Sequence, residues 1–171
     1  KNTVFTFNYN DFEALCKIVK ENDIGIIKME VVRNEMPKDN FLQKVRELAS
    51  ENSIVLIFDE CTSGFRETFG GLHKKYDVEP DIAIYGKALG NGYPITAVLG
   101  KESIMQESQS SFISSTFWTE KIGYVAALKT LEVMEREKSW EKVTKIGKTI
   151  TSKWKELASE FSLDISINGI L

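Results

Sequence analysis

Residues 54–66 read Ile-Val-Leu-Ile-Phe-Asp-Glu-Cys-Thr-Ser-Gly-Phe-Arg, and the opening of this stretch decides the fold. Ile54 to Phe58 are five consecutive apolar residues, mostly β-branched or bulky, with no polar alternation. Such a run suits a strand of a parallel sheet covered on both faces. Weaker signals of the same kind flank it. Residues 24–29 form a short apolar run upstream, and residues 82–85 and 96–100 are strand candidates downstream. The segments between show helical spacing. From Asp11, the set Phe12, Leu15, Cys16 and Val19 lines one face, with Asn8 or Asn10 available as a cap. After the loop marked by Pro37, Phe41, Leu42, Val45, Leu48 and Ala49 line another. Two further helices are expected at 120–137 and 140–162, the second carrying Trp140, Val143, Ile146, Ile150, Trp154, Leu157 and Phe161. Residues 3–7 alternate like a short strand. Strand–helix–strand alternation argues for an α/β fold, a mostly parallel sheet covered by helices.

Composition narrows the function classes. The chain has 171 residues, 42% of them hydrophobic and 27% charged, which fits one soluble globular domain. A net charge of −3 with both signs dispersed gives no basic stripe for nucleic acid. Cys16 and Cys61 are the only cysteines and His73 the only histidine, so neither a disulfide framework, a zinc site nor a histidine-based triad has enough to build on. These counts fit a reducing, cytoplasmic compartment. No apolar run reaches membrane-spanning length, and no signal peptide is visible.

In an open α/β sheet, ligands bind beyond the carboxyl ends of the strands. Two polar residues stand there. Asp59 directly follows the 54–58 run, and Lys87 follows 82–85 within Tyr85-Gly-Lys-Ala-Leu-Gly-Asn-Gly92, whose glycines permit tight turns. An acid and an amine at one sheet edge suit pyridoxal 5′-phosphate (PLP). Its aldehyde forms a Schiff base with a lysine, and a carboxylate keeps its pyridine nitrogen protonated. From position alone, the ordinary readings carry more weight: a turn or cap aspartate, and a solvated lysine.

The surrounding residues change that balance. Ile57-Phe-Asp-Glu-Cys-Thr-Ser-Gly-Phe-Arg66 resembles the Asp-Glu-x-x-x-Gly-Phe-Arg signature of class III aminotransferases. Pro80-Asp-Ile-Ala-Ile-Tyr-Gly-Lys87-Ala-Leu-Gly-Asn-Gly-Tyr-Pro-Ile is similar to their lysine segment. The 28-position spacing from Asp59 to Lys87 looks like the glutamate-1-semialdehyde aminomutase branch. Ser114-Ser-Thr-Phe117 is similar to the family's Gly-Ser/Gly-Thr turn, Phe7-Asn-Tyr-Asn-Asp11 to the stretch before the crossover helix, and Ile27-Lys-Met-Glu30-Val to its Ile-x-x-Glu-Pro-Val strand. The matches run in order over residues 7–137.

The resemblance implies the PLP-dependent transferase fold type I, with residues 1–162 part of the PLP-binding large domain and 163–171 the start of a small domain. It implies PLP-dependent amino-group transfer between a small-molecule amino donor and a carbonyl acceptor, by an aminotransferase or aminomutase. Lys87 would be the Schiff-base lysine and general base, and Asp59 the partner of the ring nitrogen. Cys61 would pack against the ring, and Thr62 would stand near the cofactor's phenolic oxygen, where the family often has Gln or Met. Ser115 and Thr116 match the turn that reaches the cofactor phosphate of the neighbouring subunit, which implies a homodimer. Glu30 takes a supporting place behind the site, although Val31 replaces the family's proline. Arg66 is expected either in a structural ion pair or on a substrate anion, and His73 as a surface or satisfied polar residue. Trp118 departs from the family pattern beside the phosphate turn and implies a different pocket wall, against glutamate-1-semialdehyde itself as substrate.

Family members exceed this chain's length at both ends, so the chain is expected to be a fragment that lacks the first phosphate-binding segment and is not competent alone. The competing reading is a non-catalytic α/β binding or assembly module of the same descent. A Rossmann-type nucleotide binder is disfavoured, because no G-x-G-x-x-G follows a first strand.

Overall fold

A computed structural model describes residues 3–114, 116–117 and 119–170. Its first half alternates helix and strand: α1 (Phe12–Glu21), β1 (Ile26–Glu30), α2 (Phe41–Glu51), β2 (Val55–Asp59), β3 (Ile82–Tyr85) and β4 (Ala97–Gly100). A short α3 (Glu102–Met105) and two long helices, α4 (Ile122–Glu137) and α5 (Ser139–Glu160), complete it. The strands form one sheet in the order β1-β2-β3-β4. β1, β2 and β3 run parallel, and β4 pairs antiparallel with β3. The mostly parallel, helix-flanked sheet expected from the sequence is therefore present. Its antiparallel edge follows from chain length: a parallel return needs a crossover of about a dozen residues or more, usually a helix, and the segment joining Tyr85 to Ala97 holds only the 3₁₀ turn Lys87–Leu89.

Two expectations are corrected locally. Residues 3–7 form no strand, because alternation alone does not supply a neighbouring strand to pair with. The cap of α1 is Asp11 rather than Asn8 or Asn10; its Oδ1 accepts the Ala14 amide at 3.0 Å.

The pairing register sorts the sheet residues into two faces. Ile27 pairs with Leu56, and Met29 with Phe58, which pairs in turn with Ala83. Ile27, Met29, Leu56 and Phe58 are buried with Leu15 of α1 and Phe41, Leu42, Val45 and Ala49 of α2. Complete burial of one such side chain is worth about 1.5–3 kcal/mol, so this face holds most of the cohesion. The other face carries Ile26, Lys28 and Glu30 from β1, Val55, Ile57 and Asp59 from β2, and Val98 from β4. Ile26 is 59% exposed and Val98 51%. Within this chain the 54–58 run is sealed on one side and half-buried on the other. A smaller cluster of Ala83, Tyr85, Leu89 and Ala127 seats α4 beyond β3.

Asp81, just ahead of β3, is a polar pin in this scaffold. Its Oδ2 accepts the Leu56 amide at 2.8 Å and Arg46 Nη1 at 2.9 Å, and its Oδ1 accepts Lys101 Nζ at 2.7 Å. One carboxylate thereby joins α2, β2 and the β4–α3 junction. Burial acts to raise its pKa, but these donors outweigh burial and hold the carboxyl below its ordinary value.

Candidate active site

The site forms where β2 and β3 end side by side. The Glu60 amide donates to the Ile84 carbonyl at 2.8 Å, locking the two exits together. Gly64 is required in the loop after β2, since a Cβ there would meet the Glu60 carbonyl oxygen at 2.8 Å and the Tyr85 ring at 2.9 Å. The next residue, Phe65, turns the chain at φ 63°.

Lys87 begins the 3₁₀ turn after β3 with φ 39°, a positive value uncommon for a non-glycine residue. Strain of this kind persists only where the surroundings enforce it and gathers at functional sites. The enforcing contacts are visible. A Cβ on Gly86 would lie 3.2 Å from Cys61 Sγ and 3.4 Å from Thr96 Cγ2. The lysine's backbone is therefore pressed against the loop that follows Asp59, and Lys87 Nζ donates to Thr62 Oγ1 at 2.6 Å.

Asp59 is bound by two donors. Its Oδ2 accepts Lys28 Nζ at 2.8 Å, and its Oδ1 accepts the Cys61 amide at 3.2 Å. The Lys28 hydrogen bond leads in holding the Asp59 carboxyl below its usual range, against an opposing effect of burial. The same bond leads in raising Lys28. The Cys61 thiol is pushed up, first by burial and then by Asp59, which makes it a packing group rather than a thiolate. Behind Asp59, Glu30 Oε1 accepts Arg33 Nη1 at 3.0 Å, and Glu30 Oε2 is buried without a partner among the described residues.

The structure brings Lys87, Thr62, Cys61 and Asp59 into one cluster at the strand ends, with Glu30 in the neighbouring strand opposite Asp59. Thr116 stands in an exposed turn ahead of α4, on a separate segment. Ser115 and Trp118 lie outside the described residues. Arg66 has no ion pair among the described residues; its Nε donates to the Thr62 carbonyl at 2.6 Å and ties that loop down. His73 is a satisfied buried residue. Its Nδ1 and backbone amide lie 2.9 and 3.0 Å from Glu60 Oε1, and Ser63 Oγ donates to Glu60 Oε2. Burial works to raise the Glu60 carboxyl, yet His73 and Ser63 bring it below its usual value. Among the described residues, no group of three or more His, Cys, Asp or Glu is placed to hold a metal ion.

Sequence reasoning missed two groups. Lys28 is one, although strand parity in Ile27-Lys-Met-Glu30 was enough to put it on the face shared with Glu30. The other is the Glu60–Ser63–His73 knot. Parity after Asp59 turns Glu60 toward the buried face, but its histidine partner is not readable from spacing.

The family model for "Aminotransferase class-III" matches residues 6–170. The chain belongs to the class III aminotransferase family. Among curated members, it is 37% identical to a 3-aminobutyryl-CoA aminotransferase of Cloacimonas acidaminovorans, with 97% of this chain and 42% of the relative aligned. It is 32% identical to a glutamate-1-semialdehyde 2,1-aminomutase of Methanococcus maripaludis, over 99% of this chain and 42% of the relative. The acetylornithine aminotransferase of Elizabethkingia anophelis has a similar solved structure, at TM-score 0.81 and 30% identity, covering 90% of this chain and 42% of that one. The chain thus spans 42% of the length of these curated relatives.

Proposed function

We propose that this chain is the lysine-bearing part of a PLP-dependent enzyme that moves an amino group between a small-molecule donor and a carbonyl acceptor. The observation that carries the reading is the strained Lys87, held on Thr62 against Cys61, at the same sheet edge as an anionic Asp59. The donor set fits the cofactor. Lys87 offers the amine. An ionised carboxylate has about four lone-pair sites, and the Lys28 and Cys61 bonds take one on each Asp59 oxygen, leaving room for the ring N–H.

When bound, PLP supplies an aldehyde that takes up an amine and a protonated ring that draws electrons from the substrate's Cα. The chain's own residues do the rest. Lys87 anchors the cofactor and, once displaced by substrate, moves the proton at Cα. The Thr62 hydroxyl, 2.6 Å from Nζ, orients the amine and, by the family resemblance, would stand on the side of the cofactor's phenolic oxygen. Asp59 accepts the ring N–H. Cys61 packs as a small apolar group on the ring. Glu30, fixed by Arg33, supports the strand opposite Asp59. The family resemblance gives the turn at Thr116 the cofactor phosphate of a partner subunit, which would make the assembly a homodimer with shared sites; Ser115, matched to the same turn, lies outside the described residues. The large-domain assignment of residues 1–162, with the small domain starting at 163–171, and the cytoplasmic setting belong to the same proposal. No described helix is long and apolar enough to cross a membrane.

The test is chemical. Borohydride reduction of the PLP-loaded, full-length protein should leave a pyridoxyl group on Lys87 and on no other lysine. Lys87→Ala should lower turnover by at least the hundred- to ten-thousand-fold typical of a lost general base, about 10²–10⁴. Lys87→Arg should not rescue, because guanidinium stays protonated and cannot condense with an aldehyde. Labelling elsewhere, or no PLP capture at all, would refute the reading and favour a non-catalytic module.

A further inference from the structure

The lysine on β1 is a second cation in the cluster, and the cofactor assignment above gives it no task. Lys28 and Asp59 stand on neighbouring strands of the half-exposed face, two residues apart in register, and their 2.8 Å contact crosses that face. Lys28 is no buried structural link. Its side chain is 54% exposed, against 25% for Asp59, and removing it leaves no cavity. An exposed pair of this kind adds at most about 1 kcal/mol to stability, so its effect on fold is small. Its effect on the local field is larger, because Asp59 has no other charged hydrogen-bond partner among the described residues.

We propose that Lys28 is a positioning residue for the cofactor: it shares the Asp59 carboxylate with the ring nitrogen and, as a fixed positive charge, weakens that carboxylate's hold on the ring proton. This rests on the PLP reading of the site. The argument is electrostatic. A carboxylate supports a protonated pyridine in proportion to the negative charge it presents. A cation already bonded to one oxygen reduces that charge and also repels a second cation nearby. The other groups facing the pair do not cancel it. Glu30, the nearest further acid on β1, is engaged by Arg33 at 3.0 Å. Cys61 is held as a neutral thiol. Ile84, opposite Asp59 on β3, carries no charge, nor does Val98 beyond it on β4. The ring nitrogen therefore meets an acid whose charge is already half claimed, and the electron sink is tuned down rather than maximised.

The experiment is a pH titration of the visible absorption of bound PLP, with PLP affinity measured in parallel, for the wild type, Lys28→Met and Lys28→Arg. Without the cation Asp59 holds the ring proton more firmly, the ring draws more strongly on the conjugated lysine-linked nitrogen of the cofactor, and the pH midpoint at which that nitrogen gives up its proton should fall. The expected size is about half a unit to one unit, below the range for fully buried pairs because this one is partly solvated. PLP should bind Lys28→Met at least as tightly as the wild type. Lys28→Arg should keep the wild-type midpoint. A loaded Lys28→Met protein with an unmoved midpoint overturns the proposal while leaving the PLP reading intact. A Lys28→Arg midpoint displaced as far as that of Lys28→Met overturns it too, since charge would then not be the cause. Absence of any visible PLP band in the wild type overturns both.

Discussion

The two faces of one four-stranded sheet behave as different materials. On the face under α1 and α2, Ile27, Met29, Leu56 and Phe58 are buried in one apolar cluster. One residue along each strand, the other face presents Ile26, Lys28, Glu30, Ile57 and Asp59, half-buried or exposed and charged at its carboxyl end. Cohesion and chemistry are therefore separated by a single step of the pleat. A carboxylate that must stay ionised cannot sit on the sealed side unless it is fully paired, and Glu60 shows what that pairing takes. It is buried, and it is matched by Ser63 and by two His73 donors. Asp59, one residue earlier, needs only Lys28 and a backbone amide because water still reaches it.

Substitutions on each face can break or sharpen this contrast. The largest effect belongs to the sealed face: Phe58→Ala should cost about 3–5 kcal/mol of unfolding free energy by urea denaturation, from lost burial plus a cavity. A loss under 1 kcal/mol would mean that this face is not the source of cohesion. Glu60→Ala should come next, at about 1–3 kcal/mol, because it strands buried donors of His73.

The acid carries a pH signature as well. Its pKa in the folded protein is depressed, so its contribution is fully present above the unfolded-state pKa and disappears as pH falls through the folded one. Stability should decline on acidification through the ordinary carboxylate range, and Glu60→Gln should flatten that decline. An unchanged acid limb in Glu60→Gln would assign the pH dependence to other depressed carboxylates, Asp59 and Asp81 among them. The smallest effect belongs to the open face. Ile26→Thr, at a position already 59% exposed, should change stability by no more than about 0.5 kcal/mol. A loss comparable to that of Phe58→Ala would show that the open face is buried in the protein as it exists.

The sequence alone determined the elements and where their chemistry emerges. The unbroken run at 54–58, the three-or-four spacing of Trp140 through Phe161, and the positions of Asp59 and Lys87 after their strands are local properties, legible because a residue's polarity states whether it must be buried. Tertiary structure decided what local patterns do not encode, namely which partners meet. Lys28 finds Asp59 across 31 positions, His73 finds Glu60 across 13, and Lys87 finds Thr62 across 25. Each depends on the path of the chain between, and a spacing rule reaches no further than the next turn of helix or the next pleat of strand. The same limit explains residues 3–7, whose alternation met no partner strand. Apolarity declares that a side chain avoids water, and only the packed neighbours decide which of its faces is dry.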